Sequence, residues 1–73
     1  MNERYSIIIQ WSQKDSCFVA SLPEWNNVNT HGESYERALD NAQKVLASLV
    51  ESSLSQGQSL PEVKTFKIHS VVQ

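Results

Sequence analysis

Apolar and polar residues alternate through the first third of the chain and then recur at steps of three and four, so the pattern predicts strands followed by a helix. Between Arg4 and Trp11, the residues Tyr5, Ile7, Ile9 and Trp11 share one face, while Ile8 sits on the other between Ser6 and Gln10. The polar run Ser12–Ser16 makes a turn. A second strand spans Cys17 to Leu22, with Phe18, Ala20 and Leu22 alternating against Cys17, Val19 and Ser21. A connection this short makes the pair an antiparallel hairpin. Pro23 ends the second strand because proline has no N–H to donate to a ladder. Asn26 and Asn27 favour a turn, since asparagine tolerates left-handed backbone, and Val28 to His31 forms a short third strand.

Ser34 is the expected N-cap of a helix. From there Tyr35, Ala38, Leu39, Ala42, Val45, Leu46 and Leu49 fall on one helical face, and Gly57 ends the helix ahead of Pro61. Asp40 and Lys44 form a favourable pair one turn apart. A helix of about 22 residues is about 33 Å long, three times the ~11 Å radius of gyration of a compact chain of this length. The helix must therefore span the molecule, with the strands packed across its apolar face. The tail Val63 to Val72 alternates again and predicts a last strand. The expectation is one domain over residues 1–73, of the α+β class, in the order β-β-β-α-β: a single antiparallel or mixed sheet on one long helix. One helix covers one side of a sheet, so apolar surface is left for a partner or a second copy.

Length changes that picture by making stability an issue. A chain of 73 residues buries only about 60% of the surface its unfolded form exposes. Small domains are commonly supported by disulfides, metals or oligomers. One cysteine forms no internal disulfide, and Cys17, His31 and His69 are not at metal-ligand spacing. Oligomerisation, as a dimer or tetramer, is the remaining support. Six basic and eight acidic residues leave a net charge of −2, a poor footprint for nucleic acid. The bases are scattered, and alternation sends Lys64 and Lys67 to opposite faces. No stretch approaches the ~20 apolar residues of a membrane span, and the N-terminus does not resemble a signal peptide. A soluble, reduced, cytoplasmic protein is expected.

Candidate chemistry is sparse. No serine sits in a nucleophile elbow, and Cys17 lies on a strand with no basic neighbour closer than Lys14. His31 reads as a polar strand-end residue, and His69 as a solvent-facing one beside Lys67. The acids fall in turns or on the polar helix face, and the first strand carries none, which argues against metal-dependent nuclease chemistry. No catalytic residue, metal or cofactor is expected. Protein binding is the best-supported class. Trp25, in an irregular segment, either folds back over the helix end or projects as an interface anchor, and Trp11 at a strand end has the same two readings.

The hairpin is followed by Leu22-Pro23-Glu24-Trp25, Thr30-His31-Gly32-Glu33-Ser34, Glu36-Arg37-Ala38, Asn41-Ala42 and Gly57-Gln58-Ser59-Leu60-Pro61. In order and spacing this series resembles the HicB-like family, over roughly Tyr5 to Pro61. Asn26-Asn27 stands where many members have Pro-Gly, and Val63 where a second proline is common. The resemblance implies a degenerate RNase H-like fold and an antitoxin role: binding a small HicA-like toxin, an RNA-cleaving protein, and covering its active surface. It also implies dimers or larger assemblies. Longer members append a DNA-binding domain, so direct DNA binding is not expected of this chain. Glu24, Trp25, Asn26, Asn27 and Trp11 are the candidate partner contacts. The alternative is an orphan HicB-like homo-oligomer that binds another protein or a ligand.

Overall fold

The computed structural model of the protein describes residues 4–66. Three strands, β1 (Ile8–Ser12), β2 (Cys17–Leu22) and β3 (Val28–Gly32), form an antiparallel sheet in that order. A 3-10 turn, Pro23–Trp25, joins β2 to β3, and α1 (Tyr35–Ser55) follows. The predicted α+β arrangement of three strands and one helix is present. Of the last predicted strand, Val63 to Phe66 carry no strand among the described residues, and the rest of it, residues 67–72 with Lys67 and His69, lies outside the described residues.

Register explains which faces are buried. Ile9 pairs with Ala20 and Trp11 with Phe18, and Ala20 pairs with Thr30 and Phe18 with Gly32. Ala20 and Leu22 are buried in one cluster with Ala38, Ala42 and Leu46 of the helix, so their alternation partners Cys17, Val19 and Ser21 face away from it. Ile8, Gln10, Asn29 and His31 join them on that outer face. β1 is shorter at its start than predicted. Ser21 takes Ile8 as its partner, β2 ends at Leu22, and Pro23 opens the 3-10 turn. Tyr5 and Ser6 therefore have no β2 residue opposite them, and Ile7 meets only the last residue of β2, Leu22. They still serve the core: Tyr5 is buried, and Ile7 packs against the same cluster.

The helix ends as its sequence dictates. Ser34 adopts an extended backbone and its Oγ accepts from the Arg37 N–H at 3.1 Å, satisfying a donor that the first helical turn leaves free. At the other end, Gly57 takes φ 70°. The Gln58 N–H reaches the Ser53 carbonyl at 2.9 Å and the Gly57 N–H reaches Leu54 at 3.1 Å. This paired closure is the Schellman arrangement. Replacing Ser34 with alanine should cost about 1 kcal/mol, read as a lower urea midpoint with an unchanged m-value.

Ala38, Ala42, Leu46 and Val50 form the buried stripe of α1, with Val45 and Leu49 beside it. Tyr35 and Leu39, counted on the apolar face from spacing, are instead exposed. The reason is where the helix lies: it packs on β3 and β2 and touches β1 only at its rim. The expected Asp40–Lys44 pair forms at 3.3 Å between exposed side chains, where it adds little to stability. The molecule is a two-layer slab, 37 × 37 × 18 Å, with a radius of gyration of 14.2 Å. That exceeds the ~11 Å of a compact chain, in keeping with a single helix of 21 residues, about 32 Å long, running across the molecule.

Candidate functional site

The turn after β2 is built around Glu24. Pro23 opens the 3-10 turn, and Asn26 and Asn27 close it in left-handed conformation at φ 58° and 57°. The Asn27 N–H returns to the Leu22 carbonyl at 3.1 Å. This geometry turns Glu24 inward, where only 8% of its surface is exposed. Its Oε1 accepts from the Ser6 N–H at 3.1 Å, and its Oε2 accepts from the Ser6 hydroxyl and from the Lys64 N–H, both at 2.9 Å. Burial pushes the carboxyl pKa up, but the backbone N–H groups of Lys64 and Ser6 and the Ser6 hydroxyl together outweigh it, and the net shift is downward. Glu24 is ionised at neutral pH.

One carboxylate thus ties three chain segments: the stretch before β1, the 3-10 turn and the chain after the helix. The Tyr5 hydroxyl adds a second tie by donating to the Pro61 carbonyl at 2.5 Å. Glu24 was expected to touch a partner. Its inward orientation and occupied acceptors give it a fold-holding role instead.

The other four predicted contacts do not form one site. Trp25 is half-buried and sets its ring edge-on to Tyr5, centroids 5.5 Å apart. It folds back onto the core, and its buried Nε1 has no acceptor among the described residues. Asn26 and Asn27 are exposed beside it. Trp11 is also exposed, but it pairs with Phe18 at the opposite end of β2. Four residue steps along the strand, about 13 Å, separate Phe18 from Leu22.

Two features were not foreseen. The first is a groove of about 410 Å³ along the outer face and the β3 edge, lined by Asp15, Cys17, Val19, Asn29, Thr30 and His31. A second groove of about 330 Å³ continues from it past Cys17 and His31 to Glu33, Arg37 and Asn41. Cys17 and His31 lie on different strands, and only the register brings them to the same grooves. Neither side chain hydrogen-bonds the other, and no group of three or more metal-ligating side chains occurs among the described residues. Asn41 donates to the His31 carbonyl at 2.7 Å, blocking one acceptor on the edge of β3. Asp15 is held by Ser12, whose hydroxyl donates to Oδ2 at 3.1 Å.

The second feature is a run of aromatic rings across the helix side of the sheet. Trp11 meets Phe18 edge-on at 5.1 Å, and Phe18 meets Tyr35 at 4.3 Å with the planes tilted by 32°. A sequence signal for it existed in the alternation of Trp11 and Phe18, but Tyr35 reads as core on helical spacing alone. No helix among the described residues is long and apolar enough to cross a membrane. Compared with protein-family models, with curated proteins and with solved structures, the chain matches none of them.

Proposed function

We propose that the protein is a non-catalytic binding module of the HicB-like kind, an antitoxin that neutralises a small basic RNA-cleaving protein by covering its active surface. The observation that carries the reading is the outer face of the sheet, which no other element among the described residues covers and where two adjoining grooves meet at Cys17 and His31. Such a face, bordered by a strand edge, suits a protein partner better than a small substrate. Asp15 and Glu33 line these grooves, with Arg37 as the single cation among the lining residues. A mildly acidic molecule steers toward a basic partner. The finer fold belongs to the same proposal: a degenerate RNase H-like domain in a cytoplasmic protein. It is supported by the three-strand meander, the single long helix and the return of Lys64 to Ser6.

Co-expression with a small basic protein encoded beside this gene tests the reading. The neighbour should be toxic alone, should be neutralised by this chain, and should co-purify with it. Val19→Arg, on the outer face, should weaken the complex at least about tenfold while leaving circular dichroism unchanged. A harmless neighbour, or no complex, overturns the proposal.

A further inference from the structure

Two stretches outside the sheet and the helix, residues 5–7 and 60–64, are held by each other and by one turn. The Tyr5 hydroxyl donates to the Pro61 carbonyl. The Ser6 hydroxyl donates to Glu24 Oε2 and also faces the Lys64 carbonyl at 3.4 Å. The backbone N–H groups of Ser6 and Lys64 both end on the Glu24 carboxylate, and Lys64 Nζ lies 3.5 Å from the Pro23 carbonyl. Each of these bonds runs between the two stretches or to the 3-10 turn, and none of them reaches β1, β2, β3 or α1. Apolar burial is divided in the same way. Of the seven buried hydrophobic residues among the described residues, six lie on β2 and α1 and one, Tyr5, lies in the two stretches. Ile7, Leu60 and Val63 are only partly buried against that core.

We propose that the two stretches form a single strap, latched by the Glu24 carboxylate, that opens as one unit while the sheet and helix stay folded. The latch makes the opening cooperative. Glu24 is 8% exposed, and such a carboxylate offsets its burial only while its donors are in place. Losing the donors of one stretch leaves the charge underbonded, which draws it toward water and away from the other stretch. Where the burial lies separates the strap from the core: opening releases Tyr5, whereas the six buried side chains of β2 and α1 keep their mutual packing. The open strap turns the Glu24 carboxylate to solvent and uncovers the face of Trp25 that meets Tyr5 edge-on. The strap thus controls when this end of the sheet presents an acid and an indole side by side.

Native-state hydrogen exchange of the full chain, followed by NMR in urea below the unfolding transition, tests the inference. The Ser6 and Lys64 amides should share one opening equilibrium and one shallow urea slope. Both should exchange at least about tenfold faster than the amides of Ala20 and Leu46 at low urea. Val63→Ala trims only the stretch after α1, yet it should speed Ser6 and Lys64 by one common factor of about threefold or more. Different opening equilibria for the two amides, acceleration of Lys64 alone or of neither, or rates and slopes equal to those of the core overturn the inference. The readout needs no partner, so it stands or falls apart from the antitoxin reading.

Discussion

Gly32→Ala is expected to destabilise the protein by about 3 kcal/mol, enough to lower the melting temperature of a domain this size by about 15 °C. A Cβ on Gly32 would lie 2.5 Å from the Ala38 nitrogen, 2.7 Å from the Arg37 carbonyl carbon and 2.9 Å from the Ala38 Cα. All three are backbone atoms in the first turn of α1, so no side chain can swing aside. The helix would have to lift from β3, loosening Ala38 and Ala42 against the sheet. Gly57 is the internal control. Its φ is 70° but nothing lies within 4 Å of an added Cβ, so Gly57→Ala should cost only about 1 kcal/mol from backbone strain. Equal losses at the two sites in urea denaturation would contradict the close approach at Gly32.

Replacing Glu24 should be nearly as costly. Glu24→Ala removes charge-assisted bonds to Ser6 and Lys64 and leaves two partly buried N–H groups without acceptors, a loss of about 3 kcal/mol. Glu24→Gln keeps the shape and isolates the charge. The folded pKa lies below the ordinary value of 4.5, so the ionised carboxylate contributes its stability in full above the unfolded pKa. That contribution is lost as pH falls through the lowered folded value. The stability gap between wild type and Glu24→Gln should therefore be widest at neutral pH and shrink in acid below about pH 4.5. A gap independent of pH would show that the charge contributes nothing to the clasp.

These two residues also explain what the sequence motifs report. Glu24 ties the segment before β1 to the segment after α1, Gly32 admits the helix, Ser34 caps it, and Asn41 bonds the His31 carbonyl while Ala42 is buried in the core. Pro61 supplies the carbonyl that receives Tyr5. Every motif behind the HicB-like resemblance has a task in holding the fold. The outer-face surface proposed above to meet a partner includes Val19, which belongs to none of these motifs.

β2 and the ends of α1 were legible because they rest on local chemistry: alternation bounded by proline, a serine cap and a glycine stop. The early start assigned to β1 failed for a non-local reason, since a strand needs a neighbour and β2 turns away at Pro23. Glu24 read as a surface contact because a carboxylate next to tryptophan in a polar turn carries no local sign of burial. Its partners are 18 and 40 residues away.

By itself, the sequence determined the strand faces, the length and caps of the helix, and the α+β class, because these depend on periodicity and neighbouring residues. Tertiary structure decided where the helix rests on the sheet. That placement over β3 and β2 buries Ala38 and Ala42, exposes Tyr35 and Leu39, and leaves the end of β1 open. It also decided that Cys17 and His31 share a groove and that Glu24 points inward. Each of these follows from strand register and the seating of the helix, and those depend on contacts between residues that no local pattern connects.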